Sequence, residues 1–262
     1  MIWQGKFQKE LILSMIQILE LHDPYTKGHS ENVANISAAL AEKMGYTKEG
    51  IQKIYWAGLV HDIGKILIPN SLLCKPGKLS GEEFAELKKH PEYGAKVLES
   101  SQELKEIVTI VRYHHERWDG SGYPKGLSGT RIPEESRILA VADAFDAITS
   151  DRPYRGSLSW EYAINEIKTY AGKQFDPQIA KTFINFIKQE WQYEFQRTEN
   201  ISFNEQIRFS DTSLIKISQR SLQCSQNQSF YKQTECQSYP VQTPLWEIQR
   251  QKTNWKSNSP LK

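Results

Sequence analysis

Apolar residues between positions 6 and 195 recur every three or four residues, and long alternating β-branched runs are absent. That spacing restricts the chain to helices packed on helices, an all-α fold of about seven or eight helices. Leu11, Met15, Ile18 and Leu19 form one expected buried stripe. A second helix is expected from Gly28 to Met44, with Val33, Ile36, Ala39 and Leu40 on its apolar face and Gly45 as its stop. A third spans 48–64 and ends before Pro69. Ser80, with Glu83 three residues on, opens the next as a capping box, and Pro91 should kink or divide it. Residues 103–116 follow, then "PEESRILAVADAFDAITS" with Pro133 near its first turn, then helices near 159–171 and 176–195.

Composition changes near residue 196. Positions 201–262 hold ten glutamines and ten serines with no glycine or alanine, so 1–195 is read as the folded domain and 196–262 as a weakly ordered tail. A formal charge of +2 is too small to argue for a nucleic-acid polymer as partner. Three cysteines without metal spacing, Cys74, Cys224 and Cys236, suit a reducing compartment. The opening "MIWQGKFQKELILSMIQILE" reads as an amphipathic helix and not a secretory signal, and no apolar run is long enough for a membrane span. A cytoplasmic location is expected.

All six histidines, at 22, 29, 61, 90, 114 and 115, lie in the first 115 residues. Histidine is a frequent metal ligand near neutral pH, although a lone one is more often structural. "HDIGK" places His61 beside Asp62 at the end of an apolar helix, with Lys65 one turn after His61. Such a pair is costly against a core unless a cation compensates it; a solvated helix end is the other reading. Asp143 and Asp146 lie three apart on a helix that is otherwise small and apolar, and need partners or a cation there. In "HHERWDGSGYPKG", residues 114–126, tandem histidines run into a turn that glycines at 122 and 126 permit and Pro124 stiffens.

In order along the chain stand "GHS", "HDIGK", "KPG", "HHER", "DGSGYP", "VADAFDA" and "SDRPYR". Over about residues 20–160 this set resembles the HD superfamily of metal-dependent phosphohydrolases, and within it the HD-GYP family. The resemblance implies a compact helical domain, two divalent transition metals (iron or manganese) and phosphodiesterase activity on cyclic di-GMP. It assigns His29, His61, Asp62 and Asp143 to one metal and Asp62, His90, His114 and His115 to the other, with Asp62 bridging. Some relatives carry a glutamate four residues before the first histidine ligand and hold a third metal. Here that position is Tyr25, a poorer ligand, so two metals are expected.

The implied reaction opens cyclic di-GMP to linear pGpG, with GMP as a further product, through a hydroxide shared by the two metals. Asp62 and Lys65 are the expected catalytic residues, Lys65 as a cation toward phosphate. Lys65, Tyr123, Arg152 and Arg155 are the expected substrate contacts, although either arginine also reads as an ordinary surface residue. Asp146 is expected to orient a ligand or the loop from behind. Trp118 packs under the loop or offers a surface to a base. Two other readings stay open: a phosphohydrolase for another cyclic dinucleotide or small phosphate ester, and a non-catalytic module that senses cyclic di-GMP or docks a diguanylate cyclase. With about 20 residues ahead of the motifs, an attached sensor or receiver domain is not expected. Regulation would come from the tail, a separate sensor or receiver partner, or a homodimer formed through the first helix.

Overall fold

The computed structural model describes residues 6–23, 28–75, 77–150 and 158–201. Tyr25, Arg152, Arg155 and positions 202–262 of the expected tail lie outside them. Ten α-helices follow in order: α1 Lys6–His22, α2 His29–Lys43, α3 Lys48–Val60, α4 Asn70–Leu73, α5 Gly81–Leu87, α6 His90–Glu99, α7 Lys105–Tyr113, α8 Glu134–Thr149, α9 Trp160–Thr169 and α10 Pro177–Ile201. No strand occurs among the described residues. The all-α expectation holds, and the larger number of helices has local causes. The segment after Ser80 divides at Lys88 and Lys89 just before Pro91, and a four-residue turn, α4, follows Pro69.

Local chemistry sets the helix starts. The Thr47 hydroxyl accepts the Gly50 N–H at 3.2 Å, and the Ser159 hydroxyl accepts the Tyr162 N–H at 3.3 Å. Ser80 and Glu83 close a full capping box, at 3.2 Å for Glu83 N–H to Ser80 Oγ and 2.6 Å for Ser80 N–H to Glu83 Oε2. The third helix stops four residues earlier than its periodicity suggests. It ends at Val60, and Ile63–Leu67 tightens into a 3₁₀ turn. The helix after Leu104 likewise ends at Tyr113, so His114 takes its C-cap. At the other extreme, α10 continues to Ile201, past the composition change at 196.

α2 packs against both α3 and α8, and α7 against α3, α6 and α8. Ile36, Leu40, Ile54, Val111, Ile138, Leu139 and Phe183 sit in this core, all but inaccessible to water. Phe183 stacks edge-on to Phe145, 5.1 Å between centroids. The approach of α2 to α3 requires glycine: a Cβ on Gly58 would lie 2.6 Å from Ala34 Cα.

The buried stripe of α1 is Ile12, Ile16 and Leu19; Ile18, expected inside, is 57% exposed and Met15 is half-buried. Both faces of this helix are apolar, so periodicity alone admits a face rotated by one residue, about 100°. Among the described residues no helix is long and apolar enough to cross a membrane.

Candidate metal centre

Three histidines are fixed by one device. Nδ1 of His61 lies 2.8 Å from the Gly58 carbonyl, Nδ1 of His90 2.8 Å from that of Leu87, and Nδ1 of His114 2.6 Å from that of Val111. In each case the acceptor is three residues back, in the last turn of α3, α5 or α7, where carbonyls lack helical partners. A carbonyl can only accept, so each Nδ1 carries the proton and each Nε2 keeps its lone pair. Those three Nε2 atoms are buried and have no hydrogen-bond partner among the described residues. A buried imidazole nitrogen without a partner is costly, and here three converge.

Between them stands Asp62, whose side chain is 4% exposed. Its Oδ2 is 3.4 Å from His61 Nε2 and its Oδ1 is 3.3 Å from His90 Nε2. The 3₁₀ turn brings it there, and Gly64 lets that turn meet α6. A Cβ on Gly64 would sit 2.0 Å from the His90 carbonyl oxygen and 2.4 Å from the Gly94 nitrogen.

From the other side comes His29, the first residue of α2. Its Nδ1 donates to Asp146 Oδ2 at 2.7 Å, and its Nε2 is 3.2 Å from Asp143 Oδ1. Asp146, 2% exposed on α8, also accepts from Asn32 Nδ2 at 2.8 Å and from Ser150 Oγ at 2.9 Å. Spaced one turn apart, Asp143 and Asp146 thus grip the two nitrogens of one ring.

Donor atoms of Asp62, His90, His114 and His115 lie within 4.8 Å of one another, and so do those of His29, His61 and Asp143. The two groups adjoin: the rings of His61 and His114 are 5.2 Å apart and those of His29 and His61 are 5.3 Å apart. All seven residues expected as ligands are brought together. The partnerless Nε2 atoms and the mixed imidazole–carboxylate donors fit divalent transition metals.

Electrostatics favour a cation. Burial lowers His61, lowers His114 to about 3 and holds His115 well below the usual histidine range, so these rings are neutral at pH 7. Burial works against the charge of Asp62 too, but Lys65 and the neighbouring histidines outweigh it and keep its carboxyl well below the ordinary range. Asp143 is likewise depressed despite burial, by His29 and the other rings. For His29 burial is the largest influence and lowers the pKa, yet the contacts with Asp143 and Asp146 together raise it to about 9. Metal binding at Nε2 therefore displaces a proton.

Lys65 Nζ donates to Asp62 Oδ2 at 2.6 Å and lies 3.7 Å from Asp23 Oδ2. Its side chain is 13% exposed, and the two carboxylates raise its pKa over the opposing effect of burial. Tyr123 is 6% exposed, and its ring lies 5.0 Å from that of His115 at 32°. The Tyr123 hydroxyl has no hydrogen-bond partner among the described residues. The Arg137 guanidinium lies 5.7 Å from the Trp118 ring centroid, and the Trp118 backbone N–H donates to the Gln174 carbonyl at 3.1 Å.

Sequence reasoning assigned no role to Asp23, Asn32 or Glu116. Asp23 and Asn32 reach the site through partners 42 and 114 positions away, separations that carry no local pattern.

The HD domain family model matches residues 14–179. A cyclic di-GMP phosphodiesterase of Thermotoga maritima is 40% identical over 196 residues, covering 74% of this chain and 53% of that protein. A 3'3'-cGAMP-specific phosphodiesterase of Vibrio cholerae is 37% identical over 178 residues, covering 67% of this chain and 34% of that one. The chain thus spans about half the length, or less, of these curated relatives. Among solved structures, the Bd1817 protein of Bdellovibrio bacteriovorus aligns with a TM-score of 0.51 at 25% identity, covering 61% of this chain and 51% of that one. With the family model spanning the helices that carry every donor, the chain belongs to the HD domain family, of the HD-GYP type that its motifs indicated.

Proposed function

We propose that the chain is a metal-dependent phosphodiesterase that hydrolyses cyclic di-GMP to linear pGpG. The observation that carries this reading is the pair of adjoining donor groups with Asp62 turned toward both. His29, His61, Asp62 and Asp143 would hold one ion, and Asp62, His90, His114 and His115 the other, with iron or manganese suited to both. Two such ions supply Lewis acidity toward the phosphodiester and an activated water nucleophile at neutral pH.

The chain's own residues do the rest. Neutral His61, His114 and His115 offer lone pairs without a prior deprotonation, and anionic Asp62 and Asp143 balance part of the cationic charge. Lys65 orients Asp62 through its hydrogen bond and leaves fixed positive charge beside the site, favouring an incoming phosphate. Burial, with Asp62 and Asp143 nearby, raises the Tyr123 hydroxyl well above the usual phenol range, so it stays protonated and can donate to a substrate oxygen. Arg152 and Arg155 are proposed as guanidinium contacts to the nucleotide. Residues 1–195 form the catalytic domain in this reading.

The relatives named as 3'3'-cGAMP-specific favour a second reading, in which the preferred substrate is a mixed cyclic dinucleotide. Protein loaded anaerobically with iron or manganese should be incubated with cyclic di-GMP and with 3'3'-cGAMP. Linear product from cyclic di-GMP at the higher kcat/KM supports the first reading, and the reverse order supports the second. No hydrolysis of either by fully loaded protein overturns both.

A further inference from the structure

We propose that Glu116 is a positioning residue for this reaction: its carboxylate locks the loop 122–127 and thereby fixes Tyr123 against His115. The proposal rests on the phosphodiesterase reading and adds a role to a residue beside the donor groups.

Glu116 directly follows the tandem histidines and is 3% exposed, a depth at which a carboxylate needs hydrogen-bond donors. Its donors are the backbone of the loop. Lys125 N–H reaches Oε1 at 2.7 Å and Leu127 N–H reaches Oε2 at 2.9 Å. Gly126 has φ +67, the left-handed conformation that turns successive N–H groups to one side and makes an anion-binding concavity. In most such concavities the anion is a ligand; here the chain supplies it.

The opposite limb of the loop is held by the main chain around Glu116. Tyr123 N–H donates to the His115 carbonyl at 3.2 Å. A Cβ on Gly122 would lie 2.4 Å from Arg117 N, 2.6 Å from Glu116 Cα and 2.6 Å from His115 O, so only glycine permits the approach. Arg117 completes the frame, donating from Nε to Ser121 Oγ at 2.8 Å and from Nη1 to Gln174 Oε1 at 2.7 Å. Tyr123 is thus held at its own amide and, two residues on, at Lys125. Between those two fixed points its ring lies along His115. Removing the carboxylate frees the second point alone, so the tyrosine hydroxyl loses its placement while the histidines keep theirs.

The test compares wild type with Glu116→Gln, Glu116→Ala and Tyr123→Phe, and with the double variants, all as metal-loaded full chain. Glu116→Gln retains one acceptor oxygen and puts an N–H against a backbone N–H, so it separates a weakened lock from a lost fold. We expect unchanged metal content and amide exchange at 122–127 accelerated at least tenfold, with α7 and α8 unchanged. Cyclic di-GMP turnover should fall about tenfold in kcat for Glu116→Gln and for Tyr123→Phe, and no further in the double variant. Unchanged exchange at 122–127 overturns the proposal, as does metal loss that matches the activity loss. Multiplying effects in the double variant also overturn it, because a residue that merely supports the fold would act independently of the Tyr123 hydroxyl. A wild type inactive on every cyclic dinucleotide defeats the functional reading, while the exchange measurement still decides whether Glu116 locks the loop.

Discussion

His29 and Asp146, 117 positions apart, are joined by a 2.7 Å hydrogen bond from Nδ1 to Oδ2. The aspartate fixes the ring so that Nε2 faces Asp143, and it raises the basicity of that nitrogen. Replacing Asp146 by Asn removes the charge while keeping the shape. Metal affinity should drop about 10- to 100-fold. Competition with a chelator of known affinity measures it, and an unchanged affinity refutes the role.

Metal-free protein should have a stability optimum bounded by its histidines. His61, His114 and His115 are depressed in the folded state, His114 to about 3, against an unfolded value of 6.5. Below about pH 6.5 the unfolded chain gains protons that the folded rings refuse, so stability falls with acidification, on the order of 1 kcal/mol per pH unit for each ring. Asp62 and Asp143, also depressed, add to the loss below the ordinary carboxylate pKa. His29 acts oppositely: its contribution is complete below 6.5 and disappears as pH rises through about 9. Denaturant titrations in chelator at pH 5, 7 and 9 test both limbs, and His114→Gln should flatten the acid one.

Three buried imidazole nitrogens have no hydrogen-bond partner among the described residues, so binding the cation should stabilise the protein markedly. At free manganese 100 times the dissociation constant the gain is about 2.7 kcal/mol, seen as a rise in Tm by calorimetry. Asp62→Ala, which takes a donor from the group of His90, His114 and His115 and the carboxylate facing His61, should abolish most of that rise.

Gly64→Ala would place a methyl 2.0 Å from the His90 carbonyl oxygen, against backbone that cannot yield without moving α6. A loss of about 3 kcal/mol or more is expected, together with weakened metal binding as His90 shifts from Asp62. Phe183→Ala offers the contrast. It should cost about 3–5 kcal/mol from the core while leaving metal stoichiometry intact in the folded fraction.

His61, Asp62 and Asp143 could be read from the chain because their neighbours are wrong for them: His61–Asp62 ends an apolar helix, and Asp143 interrupts a run of alanines and valine, whereas His29 and His90 enter only through the ordered motifs that carry the family resemblance. The helices were readable for the same reason, since Ser80 with Glu83, Gly45 and Pro91 act within a few residues. The face of α1 was readable only in part: Leu19 is buried as expected, but Ile12 and Ile16 compete with Met15 and Ile18 and only the partner helices decide. The task of Glu116 was not readable. Its partners are backbone amides, which every residue but proline carries, so no side-chain pattern announces them.

The rings of His61, His90 and His114 each lean on a carbonyl three residues behind, in the last turn of α3, α5 and α7 respectively. Aim and location are therefore governed separately: the helix terminus dictates where each lone pair points, and the crossings of α3, α6 and α7 dictate how far apart the donors stand. A small slide between helices would retune the fit to ions of different radius without disturbing a single tautomer.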